Sequence, residues 1–358
     1  MTSIFLYAGP VALNRIRSEG LHAHQFTVMA GASGGPKWFV LYGLDRYLFG
    51  DFFRAPVNGL ATLGSSVGAW RLACLAQPDP VAAIDRLAEL YSKENYSAHP
   101  TAGEITAKAK VMLQQVLTAD GARNIVANKV FKSHIIAGRA RGILAANSKA
   151  LLATGLGLAA ASNAVSRKLL SLYFERIVFN NHMHTCELTR LRDLPTRDVK
   201  LTVYNTFDAL MASGSIPFVL DGVRDISGAG KGLYLDGGIT DYHFDVPFHL
   251  QNGLVLYPHF QPKVVPGWFD KHLPRRKVKQ GNFANVLMVV PSPEFVANLP
   301  YGKIPDRDDF RKLAYPERVR YWQTVLKEST RLADEFAQLV GSERVAEIVR
   351  PFDTTKDN

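Results

Sequence analysis

Short apolar runs that end in glycine-rich turns alternate with amphipathic stretches along the first part of the chain. Residues 25–30 form one apolar run before Gly31, and a second run over residues 58–63 ends at Gly64. Each turn leads into helical apolar spacing, over residues 39–49 and from Val67 onward. This order predicts a parallel sheet with helices on its faces, with the two turns side by side at its carboxyl edge.

The remaining pattern completes an α/β architecture. We predict a short helix over 10–20, a mostly helical segment from 80 to about 165, and a long amphipathic helix over 316–340. Further strands are predicted at 176–180, 199–204, 232–235, 254–257 and 286–290. Since no repeat or linker interrupts the chain, we expect one domain over residues 1–358. Its parts would be a core over about 25–295, a mostly helical insertion over about 80–170 and a helical tail over about 308–350.

The segment 143–165 is the most apolar part of the predicted insertion. Its continuous apolar stretch, residues 150–161, lies between Lys149 and Ser162. A spanning helix needs roughly 18 to 20 apolar residues, so this stretch is too short. We expect a buried helix or one that covers a substrate, and a helix on a membrane surface is the alternative.

Composition narrows the class of partner. The 358 residues include 47% hydrophobic residues, enough for a large core, and carry a formal charge of +10. A basic surface attracts nucleic acid or anionic lipid. Because no recognisable nucleic-acid module is present, we expect no nucleic-acid partner and possible peripheral contact with an anionic membrane. Cys74 and Cys186 fit neither a disulfide framework nor a zinc finger, and no amino-terminal signal segment is recognisable, so a cytoplasmic protein is expected.

The turn at residues 64–68 carries the first candidate chemistry. It fits G-x-S-x-G, which places a serine on a strained turn between strand and helix with its hydroxyl exposed. Ser66 would then lie at a helix N-terminus, where free backbone N–H groups favour a developing negative charge. The plain alternative is an N-cap serine.

The second candidate is Asp236, which is followed by Gly237 and Gly238 at the end of the predicted strand 232–235. We expect the carboxyl end of this strand to lie on the same edge of the sheet as Ser66. Taken alone, an Asp before two glycines more often forms a turn.

Three motifs in order resemble the patatin-like phospholipase family: the glycine loop at 33–37, G-x-S-x-G at 64–68 and D-G-G at 236–238. Residues 212–217 also resemble the A-S-x-x-I-P segment of that family. The resemblance implies a three-layer α/β/α fold with a mainly parallel sheet. It also implies a serine acyl hydrolase acting on lipid esters, of the phospholipase A or lysophospholipase type, with no cofactor and no metal.

In that resemblance Ser66 is the nucleophile, Asp236 activates it, and backbone N–H groups of Gly34 and Gly35 hold the oxyanion. The glycine loop departs from the D-G-G-G-x-R-G pattern of the family. Lys37 stands where arginine is usual, Ser33 replaces the first glycine of the pattern, and Trp38 replaces its last glycine. These departures motivate a rival hypothesis, a weak or inactive lipid-binding protein with the same fold.

A histidine-dependent esterase and a metal site are also compatible with the sequence. A Ser-His-Asp esterase would need a histidine after the acid, and four follow Asp236: His243, His249, His259 and His272. A metal site would need ligands such as His182, His184 and Cys186, which would share one face of a strand. No second ligand cluster accompanies those three, so we expect no metal.

Overall fold

The computed structural model describes residues 2–54, 59–182, 191, 193–248, 250 and 252–353. The strands are β1 Ile4–Ala8, β2 Phe26–Gly31, β3 Leu60–Ser65, β4 Phe131–Ala140, β5 Phe174–Asn180, β6 Thr196–Lys200, β7 Val223–Arg224, β8 Leu233–Asp236, β9 Leu254–Pro258, β10 Val286–Pro291 and β11 Arg350–Pro351. The α-helices are α1 Pro10–Glu19, α2 Tyr42–Tyr47, α3 Val67–Leu75, α4 Pro80–Ser92, α5 Ala102–Leu117, α6 Gly121–Ala127, α7 Lys149–Val165, α8 Thr206–Ser213, α9 Pro293–Ala297, α10 Asp309–Lys312, α11 Tyr315–Glu328, α12 Thr330–Leu339 and α13 Val345–Ile348.

The strands form one mixed sheet in the order β11-β1-β10-β9-β2-β3-β4-β5-β6, with β8 also paired to β4. The central strands β10, β9, β2, β3 and β4 are parallel to one another. Their residues are almost entirely buried, because helices cover the sheet. The predicted α/β fold with a mainly parallel sheet is confirmed.

The two glycine-rich turns are neighbours, as the alternating pattern predicts. Strands β2 and β3 pair in parallel, with Gly31 opposite Gly64. The chain therefore leaves both strands at one edge of the sheet, where the site is built.

Residues Phe131–Ala140 form a strand, β4, that the sequence did not predict. It lies inside the segment 80–170, which the sequence predicts to be a mostly helical insertion, yet it pairs with β3 along six positions. Lys132, Ser133 and His134 follow its first residue, so its apolar run is short and its alternation is weak. The segment is thus part of the central sheet as well as of its helical cover.

Three other elements differ from the expected ones. The strand expected at 199–204 ends at Lys200, because the chain then turns into α8, with Asn205 Oδ1 accepting from the amide of Thr202. The long tail helix is two helices that meet at Ser329. The helix expected at 39–49 begins with a 3₁₀ turn over Gly35–Leu41.

The described residues form two buried apolar clusters. The larger surrounds the central strands and helices α2, α3, α4 and α5. The smaller joins α7 to β8 through Leu144, Leu156, Ala159, Leu233 and Leu235. Helix α7 therefore uses only part of its surface for packing, and the rest is exposed.

Candidate active site

Ser66 lies on a strained corner between β3 and α3. Its backbone has φ 56° and ψ −130°, in a region that residues with a Cβ rarely adopt, at a cost of order 1–3 kcal/mol. Both glycines of G-x-S-x-G are required by close packing. A Cβ on Gly68 would lie 1.9 Å from the carbonyl oxygen of Gly31, and one on Gly64 would lie 2.5 Å from the Cα of Ala69.

Strand β4 aligns the serine corner with Asp236. Ser65 at the end of β3 is opposite Ile136, and Asp236 at the end of β8 is opposite the next residue, Ala137. Since β8 is antiparallel to β4, the ends of β3 and β8 approach each other head to head. The sequence analysis places Asp236 at the shared carboxyl edge of parallel strands, and the antiparallel pairing replaces that explanation.

The side chains meet at this point. Ser66 Oγ donates a hydrogen bond to Asp236 Oδ2 at 2.7 Å, and both residues are buried. Asp236 Oδ1 accepts from the amide of Gly238 at 2.7 Å. The carboxylate is thus oriented on one side by the D-G-G turn and on the other by the serine hydroxyl.

The A-S-x-x-I-P segment holds both partners. The amide of Ser66 donates to Ser213 Oγ at 2.9 Å, and the amide of Asp236 donates to the carbonyl oxygen of Ser215 at 2.8 Å. The sequence analysis noted the segment only as a resemblance. Its physical role is to connect the two ends of the Ser66–Asp236 contact.

Burial changes the proton affinity of the carboxyl group. Loss of solvent raises the pKa of Asp236, while Arg307, the Ser66 hydroxyl and the Gly238 amide partly oppose that shift. A carboxylate with a raised pKa is a stronger base than an exposed one. Asp236 can therefore accept a proton from a hydroxyl group that it already contacts.

The glycine loop lies beside Ser66. Gly35 lines the same cavity as Ser66 and has φ 56°, which favours glycine. Within the described residues, no acceptor is recorded for the amide N–H of Gly34 or of Gly35. The first amides of α3 add further donors at the same end of the sheet.

The departures of this loop from the family pattern each have a structural setting. Ser33 donates to Ser65 Oγ at 3.0 Å, which ties the loop to the end of β3. Gly238 leaves room for that hydroxyl, because a Cβ there would lie 2.7 Å from Ser33 Oγ. Trp38 is buried among aromatic rings, and the ammonium of Lys37 lies 5.2 Å from the ring centroid of Phe260.

An apolar cavity of about 450 Å³ opens beside Ser66. Most of its wall comes from α3, α5 and the chain after α8, and charged residues stand on one side. The lining residues are Gly35, Ser66, Val67, Trp70, Tyr91, Tyr96, Pro100, Ile105, Ala109, Met112, Gly214, Ile216, Val219, Leu220, Arg307, Asp308, Phe310 and Arg311. Its size and lining suit a flexible apolar ligand.

A second, narrow cleft of about 20 Å³ also borders Ser66. Asp236, Lys271 and Arg307 line it, and Ser66 and Arg307 also line the larger cavity. The sequence analysis missed Lys271 and Arg307. Neither residue belongs to a recognisable sequence motif, so only the fold shows that both lie close to Ser66 and Asp236.

Among the described residues the geometry does not support the histidine hypothesis, and it does not test the metal set of His182, His184 and Cys186. His243 and His259 are buried, and burial lowers the pKa of both, that of His259 to about 3. Among the described residues, no histidine nitrogen hydrogen-bonds to Ser66 or Asp236, and His249 lies outside them. His184 and Cys186 also lie outside the described residues. Within the described part no group of three or more acidic, histidine or cysteine side chains could hold a metal ion.

A family model described as patatin-like phospholipase matches residues 62–248. The match contains Ser66, the A-S-x-x-I-P segment and Asp236, but it excludes the glycine loop, Lys271 and Arg307. No curated protein and no solved structure matches the chain significantly.

Proposed function

The chain belongs to the patatin-like phospholipase family, and from this premise we propose that it is a phospholipase A or lysophospholipase with a Ser66–Asp236 dyad. Membership supports lipid acyl hydrolysis in general. The observation that carries the finer proposal is the 2.7 Å hydrogen bond from Ser66 Oγ to Asp236 Oδ2 at the wall of an apolar cavity.

The proposed reaction has two halves. Ser66 Oγ attacks the ester carbonyl carbon as its proton passes to Asp236, and the protonated Asp236 then gives that proton to the leaving alcohol. Water attacks the acyl-serine in the second half, with Asp236 again accepting and returning the proton. The amides of Gly34 and Gly35 would stabilise both tetrahedral oxyanions, at about 3–4 kcal/mol for a donor of this kind.

The cavity supports an acyl chain as the ligand on one side of Ser66. Apolar side chains of Trp70, Ile105, Ala109 and Met112 form its wall, and burial of each methylene gains about 0.8 kcal/mol. An inactive lipid-binding protein would need neither the strained backbone of Ser66 nor the contact with Asp236.

Hydrolysis of p-nitrophenyl butyrate and p-nitrophenyl decanoate tests the dyad. We expect Ser66→Ala and Asp236→Ala each to lower turnover by 10³-fold or more, roughly the loss seen for such units. Ser18→Ala, at an exposed position on α1, is the control and retains the wild-type turnover, with folding of every variant checked by circular dichroism. Full activity of Asp236→Ala, or an inert wild type, would contradict the proposal.

We also propose that α7 is the surface through which the protein contacts an anionic membrane. Its outward side exposes Leu151, Leu158 and Val165, the last of them 81% exposed, and carries no charge between its ends. Exposed Arg141, Lys149 and Lys168 flank this face, and such charges suit anionic lipid headgroups. Within the described residues, no helix is long and apolar enough to cross a bilayer.

The position of α7 relates this face to the site. Asn163 Nδ2 donates to Asp270 Oδ1 at 2.7 Å, in the turn Trp268–His272. Trp268 and Lys271 of that turn line the narrow cleft. A membrane under α7 would therefore lie near the entrance to the cleft.

Co-sedimentation with vesicles tests this contact. We expect binding to vesicles of phosphatidylcholine with 30% phosphatidylserine, roughly a physiological anionic content, and weaker binding at high salt. Leu158→Asp should reduce binding strongly, whereas Val11→Asp should not, because Val11 is equally exposed on α1. Equal binding of both variants would contradict a role for α7.

A further inference from the structure

The narrow cleft beside Ser66 contains an excess of positive charge. Lys271 and Arg307 both line it, and they come from segments of the chain that share no secondary-structure element. Lys37 is a third cation, close enough to depress the pKa of Lys271 together with Arg307. Among the described residues that line the cleft, Asp236 is the one carboxylate, and it already accepts hydrogen bonds from Ser66 and Gly238.

Other carboxylates near these cations have different partners. Asp306 pairs with Lys303 at 3.1 Å. Asp270 pairs with Arg276 at 3.3 Å and accepts from Asn163. By contrast, the fully buried Arg71 has a dedicated partner, since its Nε and Nη2 donate to Asp45 at 2.8 and 2.7 Å.

The contacts of the cations hold them near the reacting groups. The ammonium of Lys271 lies 3.9 Å from the ring centroid of Tyr242, which also lines the cleft. Arg307 lies against the glycine loop, because a Cβ on Gly35 would be 3.0 Å from Arg307 Nε. Arg307 therefore stands where the cleft, the cavity and the predicted oxyanion donors meet.

We propose that Arg307 and Lys271, with Lys37 behind them, form a subsite for a phosphate group carried by the same molecule as the ester that Ser66 cleaves. This inference rests on the proposed function and adds a recognition element to it. The acyl chain would occupy the apolar cavity beside Ser66 and the phosphate the narrow cleft. Arg307 presents a planar set of N–H donors that suits phosphate oxygens, and Lys271 adds a point charge.

With this subsite, phosphate-bearing esters are preferred over neutral acylglycerols. Cations of like sign that are partly removed from water repel one another, and an anion between them relieves that repulsion. The pKa of Lys271 is lowered to about 7, mainly by loss of solvent, and Arg307 and Lys37 lower it further while Asp236 opposes them. A phosphate in the cleft would restore the proton of Lys271.

The first experiment measures selectivity with water-soluble substrates. For the full chain we compare kcat/KM for dibutyryl phosphatidylglycerol and for tributyrin, both below their aggregation concentrations. We expect Arg307→Met and Lys271→Met to lower the phosphate-to-neutral ratio of kcat/KM by about tenfold each, the loss of one charge-assisted contact. Arg275→Met removes an exposed cation that lies four residues after Lys271 and does not line the cleft. It should leave the ratio at its wild-type value.

Rescue separates recognition from a structural role. Lys271→Arg keeps the charge, so it should restore most of the ratio at pH 7 and retain it at pH 8.5, where Lys271 is largely neutral. A ratio that is unchanged in both Met variants, or that falls equally in Arg275→Met, would overturn the proposal. Because Ser66→Ala abolishes cleavage of both substrates if the dyad is correct, failure of the subsite and failure of the proposed function give different results.

A binding experiment without turnover distinguishes a free anion from a headgroup. Thermal unfolding of Ser66→Ala is followed with inorganic phosphate, and then with dibutyryl phosphatidylglycerol. We expect stabilisation by the lipid at much lower concentrations than by free phosphate, and loss of both effects when Arg307→Met is added. Equal potency of the two ligands would show a site for free phosphate and would overturn the headgroup assignment.

Discussion

The apolar cavity and the narrow cleft beside Ser66 differ in the partners that their lining side chains have. On the cavity side, Trp70, Ala109 and Met112 lie on regular helices and present apolar surface whose natural ligand is another apolar group. In the cleft, Lys271 and Arg307 lie outside the long helices, and within the described part of the chain neither forms an ion pair of the kind that Asp45 provides for Arg71. Apolar packing therefore shapes the cavity, whereas the cleft holds positive charge that a bound anion would neutralise.

Within this comparison, closing the apolar cavity should change turnover most. Ala109→Trp places a large ring in the cavity and should lower the rate of p-nitrophenyl decanoate hydrolysis on the order of 100-fold. The rate with the short ester p-nitrophenyl acetate should change little. Val111→Trp lies on the exposed side of the same helix and should leave both rates near the wild-type values. An equal loss with both esters would mean that the cavity does not receive the acyl chain.

A comparison of two arginines sharpens the contrast in charge. Arg71→Met removes the partner of the buried Asp45 and should lower the free energy of unfolding by about 3–5 kcal/mol, since it leaves an uncompensated buried carboxylate. Arg307→Met should change that free energy by less than about 1 kcal/mol, because it also removes repulsion between cations. Urea unfolding measures both, and a large loss for Arg307→Met would indicate a structural role.

The pH dependence should differ between the two kinds of substrate. Asp236 must be ionised to accept a proton, so kcat/KM for a neutral ester rises with pH through its raised pKa and then levels off. For a phosphate-bearing ester, kcat/KM should fall again above about pH 7, as Lys271 loses its charge. Lys271 is faced by Asp236, Arg307, Lys37 and Tyr242, and the pKa of Tyr242 is raised to about 12, so the tyrosine remains neutral.

A pH–rate profile of each substrate measures this difference. Lys271→Arg should remove the fall above pH 7, and the phosphate-bearing ester then follows the profile of the neutral ester. A similar fall for the neutral ester in the wild type would contradict the assignment to Lys271.

The smallest expected effect is a gain in stability. The pKa of Asp236 is higher in the folded chain than in the unfolded chain, so its ionisation at neutral pH favours unfolding. Asp236→Asn should therefore raise the melting temperature by a few degrees at pH 7. Below the ordinary pKa of an aspartate, about 3.9, both states are protonated and the difference should vanish. A variant less stable than wild type at pH 7 would contradict this sign.

Local rules explain what the sequence predicted correctly. The alternation of apolar runs with glycine turns predicted β2, β3 and their helices, because strand, corner and helix each depend on a few neighbouring residues. At the Ser66 corner, Gly64 is required by its near neighbour Ala69, whereas Gly68 is required by the packing of α3 against Gly31 of β2. Strand β4 was not predicted from the sequence, because the polar residues near its start weaken the apolar pattern, although its position in the sheet buries it.

Local sequence patterns were enough to predict the α/β class, the serine corner, the Asp-Gly-Gly turn and the family, since each rests on short-range sterics or on an ordered set of motifs. Tertiary structure decided the rest. Ser66 and Asp236 are 170 residues apart, and they meet because β3 and β8 pair with consecutive residues of β4. The approach of Lys271 and Arg307, and the exposed face of α7, have the same origin. Contacts between distant segments depend on strand register and on which surfaces are left uncovered, and neither is encoded in a local pattern.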